Sequence, residues 1–403
     1  MRLPARATTV SALCLLALLP AACSGTPGRP AATSPPRTSV SPATSTSPSS
    51  SPVTTPSADP TQTAVDAALA RMDQRARVAQ LFVVGVPLSG LAAGDALARS
   101  GVGGIFLDGR STASTGELAE ITSRWAGEAP GPRPWVACDQ EGGLVQTLKG
   151  PGFALLPSAL EQGRLPASQL AALAGGMGAA LHSAGITLDL APVADVVPAG
   201  TAASNPPIGA FDRQYGSTAA QVRAAAGTVV DGLAQSHVTA TLKHFPGLGR
   251  VTANTDTTAG VTDTVTAAGD DQVALFGTLA ADPADPMVMI SLAIYTRIDP
   301  SQPAAFSPAV ITSLLRERLH YTGPVMSDDL ANAKAVAAVS PGDRAVRFLG
   351  AGGTLVLTVA PGLLEPMVDA VTARAAADPA FARQIDAAVR TDLLAKARAG
   401  LLG

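Results

Sequence analysis

Ala219-Ala220-Gln221-Val222-Arg223-Ala224-Ala225-Ala226-Gly227-Thr228-Val229-Val230-Asp231-Gly232-Leu233-Ala234 is followed closely by Thr239-Ala240-Thr241-Leu242-Lys243-His244-Phe245-Pro246-Gly247. The first part repeats apolar residues at Val222, Ala226, Val229 and Leu233, the spacing of one helix face. The second is short, rich in β-branched and apolar residues, and turns polar only at Lys243-His244, which reads as a strand buried on both sides. The same alternation extends in both directions. Candidate strands are Gln80–Gly85, Val102–Leu107, Pro134–Asp139, Ile186–Val193, Thr239–Phe245, Met287–Ser291, Pro324–Asp328 and Thr354–Thr358. Between them lie helical stretches at Thr115–Glu128, Gln169–Ser183, Ala219–Ala234, Pro308–Leu319 and Pro341–Ala351, with a further pair across Leu363–Ala399. Eight alternations within residues 62–403 fit an α/β fold, a single (β/α)8 TIM-type barrel. A doubly wound open sheet needs a glycine fingerprint after its first strand, and Gly85-Val86-Pro87-Leu88-Ser89-Gly90 does not supply it.

Composition narrows the chemistry. The chain has 403 residues, of which 15% are charged, with 28 basic against 31 acidic. That balance leaves no basic surface for a nucleic-acid backbone. Four histidines and three cysteines exclude a disulfide framework and most zinc clusters, so carboxylates are left to carry the chemistry.

The beginning of the chain reads as an export signal: Arg2 and Arg6, an apolar run from Val10 to Leu19, then Ala21-Ala22-Cys23. The run is too short to be a permanent membrane span. Leu19-Pro20-Ala21-Ala22-Cys23 resembles a bacterial lipobox, which makes Cys23 the lipidation site, with ordinary secretory cleavage as the alternative. Residues 24–61 are almost entirely Ser, Thr, Pro, Ala and Gly and cannot bury enough apolar surface to fold, so they read as a tether. The expected organisation is a signal peptide over 1–23, a linker over 24–61 and the barrel over 62–403. Contact with a membrane is then through a lipid anchor only. Cys138, alone in the folded part, reads as a buried thiol.

Polar residues collect where several strands end. Strand three runs into Cys138-Asp139-Gln140-Glu141-Gly142-Gly143, strand four into Ala191-Pro192-Val193-Ala194-Asp195, strand five into Lys243-His244, and strand seven into Ser327-Asp328-Asp329. In a barrel these ends share one face, where barrel enzymes place their chemistry. Any single aspartate there reads more simply as a cap, and Asp329 is the best example. Lys243 at the end of a buried strand needs an acidic partner or an anionic ligand. A Schiff-base role for Lys243 stays open as a minor option. A nucleophile elbow G-x-S-x-G and an early His-x-His pair are both missing, which leaves two carboxylates flanking a scissile bond, the scheme of glycoside hydrolysis.

Asp139-Gln140-Glu141-Gly142-Gly143, Lys243-His244-Phe245-Pro246-Gly247 and Ser327-Asp328-Asp329-Leu330, in that order, resemble the signatures of family 3 glycoside hydrolases. The nearest branch is the bacterial β-N-acetylhexosaminidases, single-barrel enzymes that remove N-acetylglucosamine from cell-wall fragments. The likeness runs from about residue 65 to the last helix and includes Asn205-Pro206-Pro207-Ile208-Gly209 and Ala191-Pro192-Val193-Ala194-Asp195-Val196. It implies a retaining mechanism with Asp328 as nucleophile. It also implies that Asp139, Lys243 and His244 hold sugar hydroxyls, that Arg213 shapes the sugar subsite, and that no cofactor is used.

The sequence departs from that branch around the acid. Where the branch carries Asp-Ser-His, this chain has Asn254-Thr255-Asp256-Thr257-Thr258, so Asp256 is kept and Thr258 stands at the histidine position. A threonine hydroxyl cannot serve as a general acid near neutral pH. Leu248 replaces the histidine that often follows Lys-His-Phe-Pro-Gly, the sugar-binding arginine expected shortly after Glu-Gly-Gly is absent from Leu144-Val145-Gln146-Thr147, and Leu292 replaces a histidine after strand six. Three accounts stay open: Asp256 alone is the acid, Glu141 or Asp195 takes the role, or the barrel binds a cell-envelope glycan without cleaving it. Retention of Asp328 favours an enzyme, because a binder has no need of a nucleophile.

Overall fold

The computed structural model describes residues 59–402. The expected signal peptide, the lipidation site Cys23 and nearly all of the linker lie outside the described residues. The first helix, Pro60–Ala70, begins with proline behind the Asp59 cap and takes in the last two residues of the expected linker.

Eight parallel strands follow: β1 (Phe82–Pro87), β2 (Gly104–Asp108), β3 (Trp135–Cys138), β4 (Leu188–Asp189), β5 (Thr239–Phe245), β6 (Met287–Ile290), β7 (Val325–Ser327) and β8 (Val356–Thr358). Each pairs with its sequence neighbours, and β1 also pairs with β8. The ring closes where Met326 bridges Leu355 and the Ser327 N–H donates to the Leu355 carbonyl at 2.9 Å. This is the expected TIM-type barrel.

The strands read as apolar on both faces because both faces are buried. Val83, Phe106, Trp135, Ala137, Leu188, Met289 and Leu357 fill the barrel, while Val84, Ile105, Val136, Leu242, Val288 and Val356 pack outward against the helices. The C-terminal helix, Pro379–Arg398, and the chain beyond it cover the N-terminal ends of the strands, with Leu401 packed into the inner cluster. There Trp135 Nε1–H donates to Asp392 Oδ1 at 2.8 Å and Lys396 Nζ donates to Gln80 Oε1 at 2.8 Å, all four residues being buried.

Helices Thr115–Glu128 and Ala219–Ala234 have the expected bounds. The first is fixed by a capping box: Ser114 N–H donates to Glu117 Oε2 at 2.7 Å and Glu117 N–H to Ser114 Oγ at 3.2 Å. Two elements differ. The expected strand Ile186–Val193 is regular only over Leu188–Asp189, although the Thr187 N–H still donates to the Val136 carbonyl (3.0 Å) and the Leu190 N–H to the Cys138 carbonyl (2.8 Å); Pro192 has no N–H to donate, and Val193 touches β5 through a single bridge to Lys243. The expected helix Pro308–Leu319 is π-helical over Ala309–Arg318, and the Leu319 N–H reaches the Leu314 carbonyl at 3.0 Å.

Candidate active site

The C-terminal strand ends form a cup, and its centre is a cavity of ≈ 140 Å³ lined by Asp139, Arg213, Lys243, His244, Asp256 and Asp328 together with Leu190, Leu248, Met289 and Leu357. All six polar side chains proposed from the sequence for the site therefore share one cavity. Two larger cavities, of ≈ 340 and ≈ 330 Å³, lie by the N-terminal strand ends, and both are lined by the exposed Asp285–Arg398 pair at 3.3 Å.

Lys243 and His244 are consecutive residues at the end of β5, joined by a cis peptide, where the ladder to β6 shifts register between Leu242 and Phe245. Both face the cup. Lys243 Nζ sits 2.6 Å from Asp139 Oδ1 and 2.6 Å from Glu141 Oε1, so the acidic partners demanded by its burial are present. Burial alone would lower its pKa, but Asp139 and Glu141 outweigh it and hold the ammonium above the ordinary lysine value. An ammonium held by two carboxylates disfavours the free amine that a Schiff-base role requires.

Glu141 is tied more tightly still. Arg213 grips it with Nε at 2.9 Å and Nη2 at 2.7 Å, in addition to Lys243. Burial would raise its pKa, yet Arg213 and Lys243 bring it down to about 2, so it stays ionised and cannot deliver a proton. Asp195 is a strut of a different kind: its Oδ2 lies 2.7 Å from His244 Nδ1, and its Oδ1 accepts the N–H groups of His244 (3.2 Å) and Leu248 (2.6 Å). A proton on Nδ1 donated to Asp195 leaves His244 Nε2 as the ring nitrogen available to a ligand.

Asp328 follows β7 and accepts the Asp329 N–H at 2.8 Å through Oδ1. Burial raises its pKa, His244 pulls it down and Asp256 pushes it up, with a net rise to about 6. It is thus mostly ionised at neutral pH while being held in a site that resists the charge. Asp329 is the strut expected of it: its carboxylate accepts the N–H groups of Ala331 (2.9 Å), Asn332 (2.8 Å) and Val359 (3.0 Å). Cys138 is a buried free thiol, also as expected.

Asp189 was not singled out by the sequence. It lies fully buried on the helix side of β4, where its Oδ1 accepts the Gln140 N–H at 2.9 Å and so fixes the start of the hairpin bearing Glu141. Its other oxygen has no partner, and burial lifts its pKa to about 7. The available signal was an aspartate inside an otherwise apolar strand. Asn254 is a second omission: its Oδ1 accepts the Asp256 N–H at 2.8 Å and shapes the loop after β5.

The profile of the glycosyl hydrolase family 3 N-terminal domain matches residues 74–391. The chain belongs to glycosyl hydrolase family 3. A β-hexosaminidase of Mycobacterium tuberculosis, LpqI, is 35% identical over 75% of this chain and 79% of its own length. A β-hexosaminidase of Bordetella pertussis is 34% identical over 66% of this chain and 76% of its own. Among solved structures, a β-N-acetylhexosaminidase from Beutenbergia cavernae superimposes with a TM-score of 0.76 at 45% identity, covering 81% of this chain and 99% of that one. The family and the enzyme class expected from the three strand-end motifs are thereby established.

Proposed function

We propose that this family 3 enzyme is an exported β-N-acetylhexosaminidase that releases terminal N-acetylglucosamine from peptidoglycan fragments with retention of configuration. The names borne by its relatives support the sugar, and the Arg2-to-Cys23 segment supports export with a lipid anchor at Cys23. Among the described residues, no helix is long and apolar enough to cross a membrane.

The observation that carries the mechanism is the division of labour among the carboxylates. Asp139 and Glu141 are neutralised by Lys243 and Arg213, and Asp195 is consumed by His244 and two amides. Among the described residues, Asp256 and Asp328 are the two cavity-lining carboxylates without a cationic partner at salt-bridge distance. Asp328 then attacks the anomeric carbon as the glycosidic C–O bond breaks, and Asp256 gives its proton to the departing oxygen. Water next attacks the anomeric carbon of the glycosyl ester, passing a proton back to Asp256 and breaking the bond from that carbon to the Asp328 oxygen. Asp139, Lys243, His244 and Arg213 hold the sugar, and charge-assisted hydrogen bonds to its hydroxyls orient the ring.

Release of nitrophenol from the nitrophenyl β-N-acetylglucosaminide, with Asp328→Asn as the control, tests this reading. Turnover that the substitution abolishes, with the β-anomer as first product by NMR, is the expected result. No turnover above the control on this or other aryl glycosides overturns it and leaves a glycan-binding barrel.

A further inference from the structure

Asp256 lines the cavity with Asp328, yet its carboxylate has no hydrogen-bond partner among the described residues, so the loop alone decides where it points. That loop is closed on itself by Asn254, whose carbonyl accepts the N–H groups of Thr257 at 3.3 Å and Thr258 at 2.9 Å. It is then fastened to a second segment. The Lys334 N–H donates to the Asp256 carbonyl at 3.1 Å, and the Ala335 N–H donates to the Thr255 carbonyl at 3.0 Å. Thr255 is buried between them.

Lys334 and Ala335 open a 3₁₀ turn, Lys334–Val336, in the same connection that begins with Asp328. The chain between is held rigidly. Asp329 accepts the Ala331 and Asn332 amides, and Arg344 Nη1 donates to the carbonyls of Leu330 (2.7 Å) and Ala331 (2.7 Å). The two amides that grip the Asp256 loop are therefore fixed relative to Asp328.

We propose that the backbone N–H groups of Lys334 and Ala335 are a positioning latch that registers Asp256 against Asp328, so that a carboxylate lacking a histidine partner still meets the leaving-group oxygen. The proposal rests on the assignment of Asp256 as the acid. Acid catalysis matters most for a basic leaving group and least for an activated one, so loosening the latch has a signature that general loss of structure does not.

Lys334→Pro removes one latch donor. It suits the backbone, because Ala333 is extended (φ −59°, ψ 126°) and position 334 is the first residue of a helical turn. Lys334→Ala keeps the N–H and removes only an exposed side chain. In the proline variant, kcat for an alkyl or disaccharide N-acetylglucosaminide should fall by about ten- to a hundredfold, with KM changed less than about threefold and dinitrophenyl glycoside turnover largely kept. Asp256→Asn should show the same leaving-group pattern, and the double variant should lose nothing further. Equal losses on both substrates, or equal losses in the alanine and proline variants, overturn the latch. If Asp256→Asn itself shows no leaving-group dependence, the acid assignment fails instead. Hydrogen exchange of the Lys334 and Ala335 amides in the unaltered protein gives a check that needs no variant to fold: protection is expected, and free exchange refutes the latch.

Discussion

Asp328→Asn should make the protein more stable and do so increasingly with pH. The Asp328 carboxyl is raised from 3.8 to about 6, which at 1.36 kcal/mol per unit corresponds to about 3 kcal/mol of differential interaction against the charged form. A folded-state pKa above the unfolded one gives a favourable contribution that is complete below the unfolded value and lost as pH rises through about 6. At pH 8 the ionised aspartate therefore costs the fold about 3 kcal/mol relative to a neutral group, and at pH 4.5 only about 1 kcal/mol. Asparagine is neutral at both, has the same shape, and its Oδ1 can still accept the Asp329 N–H now held at 2.8 Å. Urea unfolding of the two proteins at pH 4.5 and pH 8 reads the difference directly through the midpoint at constant m-value. The expected gain is about 2–3 kcal/mol at the higher pH, shrinking to about 1 kcal/mol at the lower, while turnover is lost. A gain of equal size at both pH values, or a loss at pH 8, would refute the claim that burial and Asp256 act against the charge.

Three further outcomes follow from the same contacts. The kcat/KM profile for an activated aryl glycoside should rise with pH through about 6 as Asp328 ionises; a profile flat between about pH 5 and 7 contradicts the raised carboxyl. Thr258→His, at an exposed loop position, should raise turnover of unactivated glycosides by about tenfold or more and leave aryl glycosides little changed, which parallel kinetics on both substrates would test. At the far end of the barrel, Lys396→Ala leaves buried Asp392 without its cation 3.6 Å away and should cost about 3–5 kcal/mol in chemical denaturation, with kcat/KM preserved; a cost under about 1 kcal/mol would mean that Asp392 is already neutral.

The fold was legible because a barrel strand is apolar on both faces and its helix on one, so each unit carries two distinct local signals. Thr239–Phe245 and Ala219–Ala234 show this best, with observed bounds equal to the expected ones. Local signals were weaker where hydrogen bonding overrides hydrophobicity. Ile186–Val193 is uniformly apolar apart from Thr187 and Asp189, yet the regular strand is only Leu188–Asp189, and Pro192 has no N–H with which to extend it. The hairpin Gln140–Gly142 with Val145–Gln146 gave no apolar alternation to read, since it is held by side chains: Gln140 Nε2 and Gln146 Nε2 each donate to the Leu148 carbonyl at 2.9 Å.

In the site, residue type and strand position were enough to gather the right groups but not to assign their work. Asp139, Glu141, Asp195, Asp256 and Asp328 are chemically alike in a sequence, and strand-end topology puts all five near one cup. What separates them is how many partners each has already satisfied, and those partners come from distant segments. Arg213 reaches Glu141, His244 reaches Asp195, and Lys243 reaches both Asp139 and Glu141. Each such bond to a cation favours the ionised carboxylate, which has no proton to give but keeps lone pairs free to accept from sugar hydroxyls. Asp256 escapes because its loop is fastened through main-chain amides of Lys334 and Ala335, contacts that no side-chain pattern encodes. The absence of a histidine at position 258 therefore does not by itself decide between an enzyme and a binder. The decision lies in whether a carboxylate with an unoccupied head is held where a leaving group must pass, which is a property of the folded backbone.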